Sequence, residues 1–255
     1  MNKKIVDILP LYNRHFVGLW LNFSYQGTKR DILYSSFIVE VTGRWYLYTA
    51  GHCLKSLTKF LSSQPEHQSR LIDSPVTDKG RGFQDVEHPF LLEPDKWVWK
   101  DDDDHDFGII PLRPATARLL QAQSKKPLPP SSAALPNPSG EFCLVGIPGD
   151  TVQEIESGVR FDVRFLQMSY CSSPPAAFTG KPCETFYGKI TGRISSEESI
   201  VGMSGGPIFG LDSNSSNEDT PYNIVATQGS WIESQRTVSA TLVKPVLDII
   251  ENLVP

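Results

Sequence analysis

Apolar and polar positions alternate over short distances through the first half of the chain. The segments 15–22 (HFVGLWLN), 32–41 (ILYSSFIVEV) and 44–50 (RWYLYTA) are rich in β-branched and aromatic residues and predict strands. Thr42-Gly43 between the last two predicts a hairpin. The segments 96–100 and 107–112 extend the pattern. The character changes after Arg113. A short helix is predicted over 115–123, followed by KKPLPPSSAALPNPSG, whose prolines and small polar residues predict a linker running over a surface. Strand patterns then resume at 141–148, 159–169, 185–191, 207–210, 223–228 and 236–242, with a polar hairpin loop at 213–219. Val243, Val246, Leu247, Ile250 and Leu253 recur at helical spacing, and Pro245 is tolerated in the first turn.

This layout predicts an all-β protein with two antiparallel barrels or sandwiches in tandem and a C-terminal α-helix. The expected organisation is a first unit at 11–113, a Pro-rich crossover at 114–140, a second unit at 141–242 and the helix at 243–255.

Composition narrows the function classes. The chain has 255 residues, enough for a large core without crosslinks. A net charge of −5 with no long basic run argues against nucleic acid as a partner. No stretch reaches the length of a membrane span. Met1-Asn2-Lys3-Lys4 imitates the start of a secretory leader, but Asp7 and Pro10 interrupt the apolar stretch behind it, so a cytoplasmic location is expected. Cys53, Cys143, Cys171 and Cys183 are widely spaced, without a C-x-x-C pair, and are read as reduced thiols. No metal site and no cofactor are expected.

Three segments carry candidate chemistry. In Ile200 to Gly210 (IVGMSGGPIFG), Ser204 stands on a glycine turn. A serine hydroxyl is a poor nucleophile at neutral pH and needs a base with an orienting partner. Of the five histidines, His52 alone follows a strand, behind the small residues of TAGHC. Asp106 closes an acidic run and opens an apolar strand (DFGII), where a carboxylate is partly buried yet reaches a histidine.

Together, TAGHC, DFGII and GMSGGP resemble the motifs of the chymotrypsin-like (trypsin-like) serine peptidases, in that family's order of His, Asp, Ser. The resemblance implies two six-stranded β-barrels, with His52 and Asp106 on the first and Ser204 on the second. It implies a serine endopeptidase in which Ser204 attacks, His52 shuttles the proton and Asp106 orients the imidazole. The N–H groups of Gly202 and Ser204 would form the oxyanion hole. Ser230 and Trp231 map onto the strand edge that pairs with substrate. Glu198, six residues before the serine, maps onto the floor of the primary pocket.

The chain departs from that pattern in three respects. Secreted members carry an aspartate before the serine, which pairs with a freed amino terminus, but here the residue is Met203. The upstream cysteine that would pair with Cys53 is replaced by Phe37, and the C-terminal disulfides are missing. These departures imply a non-secreted branch that acts on a protein or peptide substrate inside the cell, with a docking or activating protein as a second partner. The alternative reading is a catalytically quiet module of the same fold that binds an extended peptide.

Overall fold

The computed structural model describes residues 11–63, 66–73, 86–102, 105–155, 158–175, 178, 185–192, 199–211 and 222–253. Strands β1 (Phe16–Tyr25), β2 (Thr28–Val41) and β3 (Arg44–Thr49) form a meander. Its two turns, Gln26-Gly27 and Thr42-Gly43, have positive φ at both central residues, the geometry that matches the twist of the flanking strands. Strands β4 (His67–Asp73), β5 (Val86–Pro89), β6 (Val98–Asp101) and β7 (Asp106–Pro111) complete a seven-stranded sheet in the order β5-β4-β1-β2-β3-β7-β6.

In the second half, β9 (Gln153–Ile155) and β10 (Gly158–Arg160) make a separate two-stranded sheet. The other strands are β8 (Glu141–Gly146), β11 (Arg164–Tyr170), β12 (Thr185–Ile190), β13 (Pro207–Leu211), β14 (Tyr222–Ile232) and β15 (Thr237–Leu242). They close into a six-stranded barrel in the order β11-β12-β15-β14-β13-β8. The helices are α1 (Gly51–Ser63), α2 (Pro114–Ala122) and α3 (Val243–Leu253).

Period-2 alternation explains how the two units are held together. Successive residues of a strand point to opposite faces. In β1, Val17, Leu19 and Leu21 fill the core of the first unit with Ile38, Leu47 and Leu71, while Phe16 and Trp20 point the other way. In β8, Phe142 and Leu144 fill the barrel, while Cys143 and Val145, with Ile147 just after the strand, face outward. The outward sets meet in a third core between the units, joined by Phe37, Tyr48, Phe209 and the apolar face of α3. Strands buried on both faces therefore read as nearly continuous apolar runs.

Among the described residues the first unit is a seven-stranded sheet and the second a closed six-stranded barrel, which fits the double-barrel reading. Helix α1 follows β3 directly and carries His52 in its first turn. The structure corrects the sequence reading in two places. The predicted strand at 159–169 is broken at 161–163 into β10 and β11. The crossover is also more than a surface linker. Leu128 bridges to Val39 and Ala133 to Ile224, and both linker residues are buried, so the segment is pinned to each unit in turn. The polar loop predicted at 213–219 lies outside the described residues, and so does Cys183. No helix among the described residues is long and apolar enough to cross a membrane.

Candidate active site

His52 is the second residue of α1, and its position follows from helix-end chemistry. The first N–H groups of a helix have no partner within the helix. The His52 N–H donates to Asp106 Oδ1 at 2.9 Å, so the cap comes from a strand 54 residues downstream. The His52 ring turns back to the same carboxylate, with Nδ1 2.9 Å from Asp106 Oδ2. One carboxylate thus fixes both the helix start and the orientation of the imidazole. Asp106 is anchored to the barrel as well, since its own N–H donates to Thr241 Oγ1 on β15 at 3.2 Å.

Ser204 reaches the same place from the barrel, on the turn before β13. Gly202 and Gly205 have φ of +96° and +87°, a region that disfavours any side chain. Space demands glycine too. A Cβ on Gly205 would stand 2.0 Å from Thr49 Oγ1 and 2.4 Å from Ser35 O, and one on Gly202 would stand 2.6 Å from Gly149 N. Gly205 therefore presses the turn against the end of β3, directly before His52.

Met203 is fully buried in the barrel core with Leu144, Ile200 and Ile208. The carbonyls around it are held one by one. Val201 O accepts from Gly149 N at 2.8 Å, Ile200 O from Met203 N at 3.1 Å, and Gly202 O from Ser35 Oγ at 3.4 Å. Ser35 Oγ in turn accepts from Ile147 N at 2.9 Å. The N–H groups of Gly202 and Ser204 donate to no acceptor among the described residues, so two unengaged donors flank the serine.

The serine hydroxyl does not engage the imidazole in this arrangement. Ser204 Oγ donates to Gly229 O at 3.3 Å. The polar neighbour of His52 Nε2 is the Cys53 sulfur at 3.6 Å, and the Cys53 thiol also lies 3.8 Å from Ser204 O as a donor. Burial works against a charge on His52, but the hydrogen bonds to the Asp106 carboxylate and to Cys53 outweigh it. The imidazole is pushed up to about 10.

Ser230 and Trp231 lie near the end of β14, opposite Ser239 and Val238 of β15. On its other side β14 pairs with β13 only as far as Thr227, opposite Pro207, so among the described residues no strand pairs with that edge beyond Gln228, beside Ser204. The residue of this strand that touches the other groups is Gly229, one before Ser230. It accepts from Ser204 Oγ, and a Cβ there would stand 2.7 Å from Asp106 Oδ2. The strand bulges at this point. Glu198 lies outside the described residues.

The structure thus brings His52, Asp106, Gly202 and Ser204 together, with Ser230 and Trp231 on the neighbouring strand. Sequence reasoning passed over Ser35, Cys53, Thr241 and Gly229 as parts of this cluster. Cys53 alone carried a local signal, as the neighbour of His52. The other three act on partners far away in the chain.

No protein-family model matches the chain, and none of the curated proteins does. Among solved structures, the chain is similar to a scabies mite inactivated protease paralogue, with a TM-score of 0.51 and 13% identity over 96% of each chain. It is also similar to the thermostable serine protease AL20 from an extremophilic microorganism, at a TM-score of 0.48 and 18% identity over 96% of this chain and 98% of the other. The protease of tobacco vein mottling virus gives a TM-score of 0.45 and 10% identity over 93% of this chain and 79% of that one. Likeness at such identities bears on the fold alone, and the fold is chymotrypsin-like.

Proposed function

We propose that the protein is a serine endopeptidase in which Ser204 is the nucleophile, His52 the general base and acid, and Asp106 the group that orients and charges the imidazole. The observation that carries this reading is the Asp106 carboxylate bound at 2.9 Å to both the ring and the backbone of His52, beside a serine flanked by two unengaged N–H groups. Those N–H groups, of Gly202 and Ser204, would receive the oxyanion of an acyl intermediate. A hydroxyl rotation of Ser204 from Gly229 O toward His52 Nε2 would complete the proton path. The edge of β14 beyond Gln228, with Ser230 and Trp231, suits an extended peptide backbone added as a strand. Glu198 remains the proposed selector for a Lys or Arg side chain. Cys53, Cys143 and Cys171 are unpaired thiols, which fits a reducing compartment and a substrate inside the cell.

One observation favours a quieter second reading, a fold that holds peptides without cutting them. Ser204 Oγ is turned to a carbonyl, and His52 Nε2 faces a thiol. One of the similar structures is itself described as an inactivated protease paralogue. Intact-mass analysis after treatment with a serine-directed fluorophosphonate separates the two. Stoichiometric labelling that disappears in Ser204→Ala supports the peptidase. An unlabelled but folded wild-type protein supports the binding module.

A further inference from the structure

A wide groove lies away from Ser204. It lies where β3 begins and β7 ends, between those strands, α2 and the crossover segment at 124–127, and it encloses about 1200 Å³. Strand β3 runs from Arg44 in this groove to Thr49 beside the Ser204 turn, and β7 runs from Asp106 to Pro111. Five residues of extended chain put the groove about 17 Å from the candidate active site.

Its chemistry is one-sided. Arg44, Arg118 and Lys126 are exposed on its walls, and among the described residues none of them makes an ion pair. Glu40 is the one carboxylate in its lining. This local excess of positive charge stands against a chain of net charge −5. The groove also has an apolar side, built from half-buried Trp45 and buried Tyr46 and Leu112. Its volume exceeds the roughly 300–1,000 Å³ usual for a small-molecule site. The pinned crossover gives it a fixed wall, since Leu128 is buried and its N–H and carbonyl bond to Ile38 O and Glu40 N, both at 2.9 Å.

We propose that this groove is a docking site for an acidic peptide segment of a partner protein. Arg44 and Arg118 would each grip a carboxylate through the guanidinium fork, Lys126 would add a point charge, and an apolar side chain of the peptide would lie on Trp45. Three exposed cations beside buried Lys125 fit a short carboxylate-bearing segment better than a long phosphate backbone. The proposal does not rest on Ser204 being a nucleophile.

The test uses full-length Ser204→Ala protein, immobilised and challenged with a displayed library of random twelve-residue peptides. Enrichment of sequences rich in Asp and Glu is expected. A fluorescein-labelled selected peptide should bind with an affinity that falls with added sodium chloride and falls at least about tenfold in Arg44→Glu/Arg118→Glu. Trp231→Ala, beside Ser204, should leave its binding unchanged. If circular dichroism shows that the double variant does not fold, the single changes Arg44→Ala and Lys126→Ala serve instead, each weakening binding several-fold. Selection without acidic enrichment, equal binding to the charge-changed proteins, or loss of binding in Trp231→Ala overturns the proposal. So does a single-stranded RNA that binds through the same cations more tightly than any selected peptide.

Discussion

Both oxygens of the Asp106 carboxylate are taken, one by the His52 amide and one by the His52 ring, while the Asp106 N–H reaches Thr241 on the barrel. Removing any member of such a set breaks a unit rather than a sum. On the proposed chemistry, Ser204→Ala and His52→Ala each abolish nearly all peptide hydrolysis, and the double variant is little worse than either. Asp106→Asn costs about four orders of magnitude in kcat, because the amide favours the wrong imidazole tautomer. Additive losses in kcat/KM would count against a triad. The titration of His52 gives a second expectation. Its pKa rises on folding from 6.5 to about 10, so the stability it contributes is fully present below pH 6.5 and is lost as the pH climbs through about 10. General-base activity has the opposite sign, since only the neutral ring accepts the serine proton. The fluorophosphonate labelling rate should therefore climb about tenfold per pH unit between pH 7 and 9. Cys53→Ala removes one of the interactions that hold the proton and should move the midpoint of that climb downward. A plateau already reached at pH 7.5 in the wild type would contradict both statements.

At the scale of elements, the turn before Ser204 is held by no buried ion pair among the described residues. Met203 anchors it in the barrel core, Gly149 holds the Val201 carbonyl, and Ser35 on β2 holds the Gly202 carbonyl from the first unit. Ser35 is thus a positioning residue that ties the loop to the other half of the molecule. Ser35→Ala should lower kcat by about tenfold with little change in KM, because it loosens donors that act on the transition state. It should also lower the melting temperature, since Ile147 N–H loses its buried acceptor, a loss of about 1–3 kcal/mol. A matching rise in KM with kcat unchanged would place Ser35 in substrate binding instead. Much of this arrangement was legible in the sequence: the glycine turn, the strand before His52 and the strand after Asp106 all announce themselves locally. Helix α1 does not. It starts directly after β3 with no capping side chain of its own, because its cap is Asp106, 54 residues away. Gly229, Ser35 and Thr241 were hidden for the same reason. Each is an ordinary strand residue until the two units meet, and one sequence does not show which strand faces which.

The whole molecule is held together around a buried histidine far along the chain from the chemistry. His15 Nδ1 donates to Lys126 O in the crossover at 2.6 Å, and Nε2 lies 2.8 Å from the Tyr222 hydroxyl on β14, whose single proton is shared between Nε2 and Leu11 O at 3.1 Å. Arg14 donates to the oxygen of that hydroxyl at 3.2 Å. Beside it, buried Lys125 donates to the carbonyls of Asn13 at 2.7 Å and Phe16 at 2.8 Å. The segment before β1, the crossover and the barrel thus share one polar knot, in which His15 serves only as the neutral tautomer. Burial holds its pKa down to about 3, opposed by the bond to Lys126 O and assisted by the charges of Arg14, Lys125 and Lys126. The sign is the reverse of that for His52. Between pH 6.5 and 3 the unfolded chain binds a proton at His15 that the folded chain refuses, so stability falls as the pH falls, by about 1.4 kcal/mol per pH unit. Going from pH 7 to pH 5 should therefore cost the wild type about 2 kcal/mol through this residue. His15→Gln cannot titrate, so the stability difference between wild type and variant isolates the effect while all other groups cancel. Urea denaturation of both proteins at pH 7 and pH 5 measures it. The wild type should have the clear advantage at pH 7, from its two buried hydrogen bonds, and should lose most of it by pH 5. A difference that stays constant across that range would mean that His15 is protonated in the fold and that the knot is built on a charge.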